Sequence, residues 1–352
     1  MIIRPCYLLP QFILDETGCL PPAVGLRPES QYMTNQREDP MSIHVAEEWL
    51  NACSGCEICI LDMGERLLEV LQHLEFVHIP VLMDHKYYGQ TGRGSELSIP
   101  KADVGILSGG IRNEEHLEVA RVMRRQCDVI VALGTCATHG GIPALGNSWS
   151  SEQILERYYH TESTDPIQAY PGQGVPALLD RTYALDEKIA VDMYLPGCAP
   201  HPDQVYAAIM GLVQDQTPSL PGFSVCDTCP TRREGKGDLK HLRRFVQNAH
   251  YAAPDQPLED MRCLLEQGIL CMGPVTRAGC GGEAATPRCI SARVPCRGCS
   301  GPVKPEGNQM LDMLGALASN RIDIHSLPEY TSLLRFSGAH NRLRAKTPKE
   351  GS

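Results

Sequence analysis

The chain of 352 residues is poor in aromatic side chains and has no excess of positive charge. Aromatic residues make up only 5% of it, which argues against a surface that stacks nucleic-acid bases. The formal net charge is −10, whereas sequence-independent binding of nucleic acid needs basic faces, so we expect no nucleic-acid partner. The one basic stretch, residues 342–349, is interpreted as solvated and lies within a predicted basic tail at 336–352.

Long apolar runs and several familiar motifs are also missing. No stretch of 18 consecutive apolar residues occurs, so we expect no membrane span. Residues 1–6 lack the charged start and apolar stretch of a secretory signal, and no twin-arginine pair is present, so we expect a cytoplasmic protein. Neither a G-x-x-x-x-G-K-[ST] phosphate loop nor a G-x-S-x-G elbow is found, which argues against P-loop nucleotide binding and serine hydrolysis.

Cysteine, in contrast, is abundant: the chain has 16 cysteines and only 5 phenylalanines. Disulfides are disfavoured in a reducing compartment, so this number points to bound metal. Cys6, Cys19 and Cys127 are interpreted as isolated thiols that act as small hydrophobic residues, and Cys59 as a packed thiol. The spacing of the other twelve is too ordered for that explanation.

The pattern of residues 41–217 predicts an α/β domain, preceded by an extension at residues 1–40. Short apolar runs of strand length alternate with amphipathic stretches, which indicates a parallel sheet covered by helices. One helix is predicted around Leu67–Leu74, a second from the N-cap Asn113, and a third from Asp203. The predicted strands are Val45–Leu50, Val77–Leu82, Val104–Leu107, Val129–Leu133 and Val191–Leu195.

Residues 218–335 have a different composition, rich in Cys, Gly, Pro and Arg, with few strand-like runs. Helices are predicted only at Leu258–Gln267, closed by Gly268, and at Gly307–Ser319. This region is therefore expected to be mostly irregular with some helix. It lacks a conventional apolar core, and eight of its residues are cysteines that could hold it together.

Four cysteines of the α/β part follow the ends of predicted strands. Cys53 and Cys56 follow the first strand, Cys136 follows Val129–Leu133, and Cys198 follows Val191–Leu195. Ligands bind at this edge of an open parallel sheet, so the four thiols are expected to converge. Four thiolates suit a [4Fe–4S] cluster or a zinc ion, and the spacing favours the cluster because structural zinc normally uses two short knuckles. A redox-active Cys53/Cys56 pair would leave the other two unexplained.

The second region could hold two further metal sites. Its eight cysteines suffice for two [4Fe–4S] clusters or for two zinc ions, and spacing does not decide which four share a site. They are Cys226, Cys229, Cys263, Cys271, Cys280, Cys289, Cys296 and Cys299.

These motifs resemble those of the small subunit of [NiFe] hydrogenases. The resemblance rests on residues 53–57 (CSGCE), 134–136 with 140–141 (GTC…GG) and 196–198 (PGC). Residues 263–268 (CLLEQG), 279–281 (GCG) and 295–302 (PCRGCSGP) are similar to the cytoplasmic group 3 branch, which includes viologen-reducing enzymes linked to heterodisulfide reductase. The quinone-site subunit of complex I shares the first motifs but has adjacent cysteines in place of C-x-x-C.

The resemblance implies a flavodoxin-like domain followed by an iron–sulfur domain, with three clusters that are all expected to be [4Fe–4S]. Cys226 stands where the respiratory branch usually has histidine, and Cys289 supplies a fourth medial ligand that this branch often lacks. By resemblance, the proximal group is Cys53, Cys56, Cys136 and Cys198; the medial group is Cys280, Cys289, Cys296 and Cys299; and the distal group is Cys226, Cys229, Cys263 and Cys271.

The resemblance also implies partners. The Ni–Fe centre would lie on a large subunit, because this chain lacks the paired C-x-x-C motifs that bind nickel and iron, so it is not expected to be catalytic alone. A flavoprotein, a ferredoxin-like protein or a heterodisulfide-reductase-type subunit would accept the electrons. Glu57 is a candidate proton relay, with a first-turn acidic residue as the structural alternative. Two other functions stay open: an iron–sulfur subunit of another oxidoreductase, and a zinc-stabilised assembly or scaffold protein.

Overall fold

The computed structural model describes residues 42–88, 93–161, 174–214, 216, 219–235, 240–243 and 255–345. The predicted extension at 1–40, with Cys6 and Cys19, lies outside the described residues, as do residues 346–352 of the predicted tail. None of the described helices is long and apolar enough to cross a membrane.

A five-stranded sheet forms the N-terminal half of the described chain. Its order is β2-β1-β3-β5-β7, and every neighbouring pair is parallel. Counted along the chain within the sheet, this is the 2-1-3-4-5 order of flavodoxin-like folds, which confirms the predicted fold class. β4 and β6 pair separately as an antiparallel ribbon. The strands are β1 (Ile43–Trp49), β2 (Leu74–His78), β3 (Ala102–Ser108), β4 (Ile111–Asn113), β5 (Cys127–Leu133), β6 (Leu178–Tyr183) and β7 (Met193–Leu195).

Helices cover both faces of this sheet. Successive strand residues point to opposite faces, so Val45 and Ala46 belong to different apolar clusters, as do Val131 and Ala132. One cluster includes the buried side of α3, and the other includes residues of α1, α2 and α6. The helices are α1 (Gly55–Leu61), α2 (Arg66–Val70), α3 (Glu114–Gln126), α4 (Gly134–His139), α5 (Ser151–Tyr159), α6 (Pro202–Val213), α7 (Arg288–Ser291) and α8 (Gln309–Ser319).

Helix starts that depend on a local cap were predicted well. Asn113 caps α3 as expected, accepting a hydrogen bond from the amide of His116 at 2.8 Å. The third predicted helix is α6, where Pro202 is the first residue and His201 is the cap. The predicted Gly307–Ser319 helix is α8, capped by Asn308. From residue 219 onward the described chain is otherwise turns and short 3₁₀ segments, which confirms a mostly irregular region.

The predicted helix around Leu67–Leu74 is wrong beyond its first turn. α2 ends at Val70, and the strand β2 begins at Leu74, earlier than the predicted Val77. Leu74 is buried in the sheet cluster, whereas Leu68 and Leu71 are exposed on the surface. The helical spacing of the leucines was misleading, because Leu67 and Leu68 belong to a short helix and Leu74 is the first residue of a strand.

The predicted Leu258–Gln267 helix is also wrong. Only a 3₁₀ turn at Leu258–Asp260 forms there. The chain then extends past Arg232, whose amide donates to the Met261 carbonyl at 2.9 Å and whose carbonyl accepts from the Cys263 amide at 2.8 Å. Pairing with a distant segment replaces the hydrogen bonds that a helix would need.

The first part of the predicted basic tail is packed. Phe336, Ala339 and Leu343 are buried, and the amide of Ala339 donates to the carbonyl of His139 at 3.1 Å. The prediction that residues 342–349 are solvated is therefore wrong for Leu343, because this apolar side chain anchors the segment.

Loss of the Asn113 cap should weaken α3. We expect Asn113→Ala to lower the free energy of unfolding by about 1 kcal/mol, since the amide of His116 loses its acceptor. Asn113→Asp keeps an acceptor oxygen and is the matched control. Chemical denaturation of the three proteins checks this, and equal stability of the Ala variant and the native chain would contradict it.

Candidate metal centres

The proximal group converges at one edge of the sheet. Cys53 lies in the turn between β1 and α1, Cys56 lies in α1, Cys136 lies in α4 directly after β5, and Cys198 follows β7. The four sulfurs act on one another: after burial, the pKa of Cys136 is raised to about 12 by Cys198 and Cys53. The pKa of Cys56 is raised by burial first and then by neighbours that include Cys136 and Cys198. The structure therefore brings the four predicted residues together.

Glycines leave room around these sulfurs. A Cβ at Gly134 would overlap Cys56 Sγ, and a Cβ at Gly141 would lie 2.5 Å from Cys136 Sγ. Both glycines have positive φ, 81° and 52°. Because neither the space nor the backbone accommodates a side chain, the loops hold the sulfurs beside bare backbone, as a bulky inorganic group requires.

The distal group lines one small cavity. Cys226, Cys229, Cys263 and Cys271 all face it, together with Gly273. Burial raises the pKa of Cys226 to about 12, with further increases from Cys271, Cys263 and Cys229. A Cβ at Gly273 would lie 3.0 Å from Cys226 Sγ. The four cysteines that the resemblance assigns to one site are therefore neighbours.

The medial group is assembled from residues after α6. Burial raises the pKa of Cys299 to about 11, and Cys280 and Cys289 add to the increase. Cys296 has its pKa raised by burial, then by Cys271 of the distal group, and then by Cys299 and Cys289. Each of the four predicted residues therefore lies within Coulombic range of at least two others in the group.

Backbone amides solvate the sulfurs in each group. The amide of Ile142 donates to Cys136, and the amide of Gly298 donates to Cys296. The amides of Leu265 and Glu266 donate to Cys263. Each of these hydrogen bonds lowers the pKa of the thiol, but burial raises it by more. All-thiolate donor sets with amide N–H groups aimed at sulfur fit iron–sulfur clusters.

Two of these amide contacts join neighbouring groups. The amide of Cys198, in the proximal group, donates to the sulfur of Cys299 in the medial group. The amide of Cys296, in the medial group, donates to the sulfur of Cys271 in the distal group at 3.3 Å. The three groups therefore form a series in which each is hydrogen-bonded to the next.

Thr135 holds the first of these junctions. Its amide donates to the Gly197 carbonyl at 2.9 Å, and its hydroxyl accepts from the Gly197 amide at 2.8 Å. The same hydroxyl donates to the carbonyl of Cys299. Thr135 is 1% exposed, so these contacts are protected from water. The sequence indicated only that Thr135 precedes a cysteine.

Four other cysteines and histidines of the described residues have places of their own: Cys59, Cys127, His139 and His201. Cys59 and Cys127 are buried, as predicted, and Cys59 donates to the carbonyl of Cys56 at 2.8 Å. His201 accepts from the amide of Asp203 and caps α6. His139 bonds to the hydroxyl of Thr138 at 2.7 Å, and its pKa is lowered to about 3, first by burial. The imidazole of His139 is therefore neutral.

Two buried carboxyl groups near Glu57, those of Glu47 and Glu48, were missed in the sequence. Glu57 is in the first turn of α1, is 1% exposed, and accepts a hydrogen bond from the hydroxyl of Ser108. Glu47 lies against it and has its pKa raised well above the ordinary value, by burial first and then by the charges of Glu57 and Glu48. Glu48 is bonded to His78 at 2.5 Å. The available signal was two adjacent glutamates inside a predicted strand.

Comparison with known proteins gives consistent relatives. A family model described as NADH ubiquinone oxidoreductase, 20 Kd subunit, matches residues 53–212, which include the proximal group. A subunit of the F420-non-reducing hydrogenase of Methanothermobacter marburgensis is 36% identical over 281 residues, covering 79% of this chain and 84% of the relative. The iron-sulfur subunit of the F420-non-reducing hydrogenase of Archaeoglobus profundus is 34% identical over 296 residues, covering 79% and 88%.

A solved structure is also similar to this chain. It is a chain of an NAD+-reducing [NiFe]-hydrogenase in the H2-reduced state, with 28% identity and a TM-score of 0.45. The similarity covers 51% of this chain and 96% of that chain.

Fold, cysteine groups and relatives together define an iron–sulfur protein of electron transfer. The chain belongs to the family of [NiFe] hydrogenase small subunits, and its relatives include the iron-sulfur subunit of an F420-non-reducing hydrogenase. It is the electron-transfer subunit of a hydrogenase complex that also contains a large subunit.

The glycine beside Cys56 can be tested directly. We expect Gly134→Ala to lower the iron and acid-labile sulfide content of the purified complex, since its Cβ would overlap Cys56 Sγ. Gly174→Ala is the matched control, because Gly174 has a similar φ of 79° but no described atom within 4 Å of the place that its methyl group would take. Full iron content in the Gly134→Ala variant would contradict this view of the site.

The buried carboxyl pair predicts a pH effect on stability. The pKa of Glu47 is raised in the folded chain, so the folded state binds its proton more tightly than the unfolded state and native stability falls as pH rises above the ordinary value of 4.5. Glu47→Gln removes this titration, so the stability of the variant should fall less steeply with pH than that of the native chain. The two slopes should differ by up to about 1.4 kcal/mol per pH unit.

Thermal unfolding between pH 5.5 and 8 measures that difference. Glu118→Gln, on the exposed side of α3, is the control and should follow the native chain. Parallel curves for the native chain and Glu47→Gln would show that Glu47 does not hold a proton.

Proposed function

We propose that this chain transfers electrons between the Ni–Fe site of its large subunit and an external acceptor through three [4Fe–4S] clusters. The proximal, medial and distal groups would each hold one cluster, and a bound cluster supplies reversible one-electron steps. The observation that carries the proposal is the pair of amide-to-sulfur hydrogen bonds, Cys198 to Cys299 and Cys296 to Cys271. The first joins the proximal group to the medial group, and the second joins the medial group to the distal group. This is the order that the family resemblance implies.

The exposure of the cysteines supports the proposal that the proximal group is the one nearest the large subunit. Cys53 and Cys198 are exposed, whereas Cys271 and Cys296 are buried. The proximal group therefore reaches the surface of this chain, where a large subunit can approach it. The other cysteines of the medial and distal groups are half-buried, so backbone amides and partial burial would set the reduction potentials there.

Glu57 remains a proposed proton relay. Its carboxyl group is buried beside the proximal group, bonded to Ser108 and in contact with Glu47. A relay needs carboxyl groups that lie close together away from bulk water, and this pair meets that requirement. Its position in the first turn of α1 also stabilises the helix, so the structural role stands beside the proposed one.

The proposal includes partners and a location. A flavoprotein, a ferredoxin-like protein or a heterodisulfide-reductase-type subunit would exchange electrons with the distal group. The cytoplasm is the proposed location. Splitting of hydrogen is assigned to the large subunit.

Hydrogen-dependent viologen reduction is the functional test. The complex is purified anaerobically and analysed for nickel, iron, zinc and acid-labile sulfide before the assay. The proposal predicts a nickel-containing partner, about twelve irons on this chain, and reduction of viologen only under hydrogen. A stable complex with no nickel and no such activity would overturn it, and zinc without sulfide would favour the scaffold alternative.

A single ligand substitution should remove one cluster. We expect Cys226→Ala to lower the iron content of this chain from about twelve to about eight, because the distal group loses a thiolate. Cys127→Ala is the control, since Cys127 is buried in the sheet cluster away from the three groups. An unchanged iron content in Cys226→Ala would exclude Cys226 as a ligand.

A further inference from the structure

A second cavity lies apart from the cysteine sulfurs, between the sheet domain and the C-terminal segment. Its volume is about 540 Å³. No cysteine lines it, although Thr138 and Pro196 on its wall belong to loops of the proximal group. Its polar wall carries two guanidinium groups and two imidazoles, those of Arg277, Arg342, His139 and His340.

Arg277 is a buried charge without a counterion. It is 8% exposed, and burial lowers the pKa of its guanidinium with no carboxylate acting against it. One terminal nitrogen donates to the Pro221 carbonyl at 2.8 Å, but Nε has no partner in the described part of the chain. Arginine does not lose its proton in proteins, so this charge is costly unless an anion approaches it.

Arg342 adds a further unpaired donor, and His340 adds a ring nitrogen without a partner among the described residues. Arg342 Nη1 and His340 Nδ1 are both buried without a hydrogen-bond partner among the described residues. The other nitrogen of His340 is bonded to Asp186 at 2.8 Å, which fixes the ring. Burial lowers the pKa of Arg342 even though Asp186, Asp312 and Glu187 act in the opposite direction. Nearby carboxylates therefore do not compensate for its desolvation.

These donors act at one place. The pKa of His139 is lowered first by burial and then by His340, Arg342 and Arg277, so all three lie within Coulombic range of its ring. Two carboxylates also line the cavity. Asp186 already accepts hydrogen bonds from His340 and, at 3.3 Å, from Tyr194, and Glu306 is exposed at the rim. Neither forms an ion pair with Arg277 or Arg342 within the described residues.

We propose that this cavity binds an organic anion through Arg277 and Arg342, with His340 on the same wall. Guanidinium groups present paired donors that match the oxygens of phosphate and carboxylate groups. An oxyanion between Arg277 and Arg342 would satisfy donors that otherwise stay unpaired.

The remaining wall indicates an organic ligand in preference to an inorganic ion. Tyr194, Pro196, Leu220 and Pro305 line the cavity, so most of its surface is apolar. Pockets of some 300–1,000 Å³ with an apolar wall and a few convergent polar groups are typical of small-molecule sites. A ring or chain attached to the oxyanion would cover this wall.

Binding of three simple anions to the assembled hydrogenase complex tests the proposal. Isothermal titration calorimetry with phenyl phosphate, benzoate and inorganic phosphate is performed anaerobically at constant ionic strength. We expect one saturable site per chain and tighter binding of an aryl anion than of inorganic phosphate. Phenyl phosphate and benzoate distinguish the two oxyanions, and binding of either supports the site.

Variants decide whether the cavity is the binding site. Arg342→Gln should weaken binding of the aryl anion by about tenfold or more, because a charge-assisted contact is lost. Arg277→Gln should do the same, and if it fails to assemble, the half-buried Arg342 decides alone. Arg344→Gln is the control, since Arg344 is exposed and does not line the cavity. Absence of saturable binding, or equal affinity in Arg342→Gln and the native complex, would overturn the proposal.

Discussion

The arrangement of the metal groups depends on the parallel register of one small sheet. β1, β5 and β7 run in the same direction, so the loops that follow them meet at one edge. That edge carries all four cysteines of the proximal group. Thr135 and Cys198 lie in the same loops and contact Cys299, so the sheet also positions the medial group. The distal group follows through the Cys296 amide.

The region after the sheet has little else to hold it together. Its described part contains few regular elements, and Cys271 and Cys296 are themselves members of its larger apolar cluster. Burial raises the pKa of most of its thiols, so an empty site would keep them protonated and weakly held. Metal binding must release those protons, and its free energy then contributes to folding. We therefore expect this region to be stable only with its clusters in place.

Local signals predicted much of this structure, and distant contacts account for the errors. The N-cap at Asn113 and the strand-end positions of Cys136 and Cys198 follow from neighbouring residues. The absence of a helix at 258–267 follows from pairing with Arg232, which lies far away in the sequence. The contact between Glu47 and Glu57 beside Cys56 and the cavity around Arg277 depend on side chains brought together by folding, so the positions of these residues in the sequence do not reveal that they meet.

Electron paramagnetic resonance of the hydrogen-reduced complex tests the central claim most directly, because each reduced [4Fe–4S] cluster contributes an unpaired electron. Three clusters in series predict signals that together integrate to about three spins per chain when fully reduced, broadened by magnetic interaction between neighbours. A single unbroadened signal of one spin, with zinc in the remaining cysteine groups, would contradict the account.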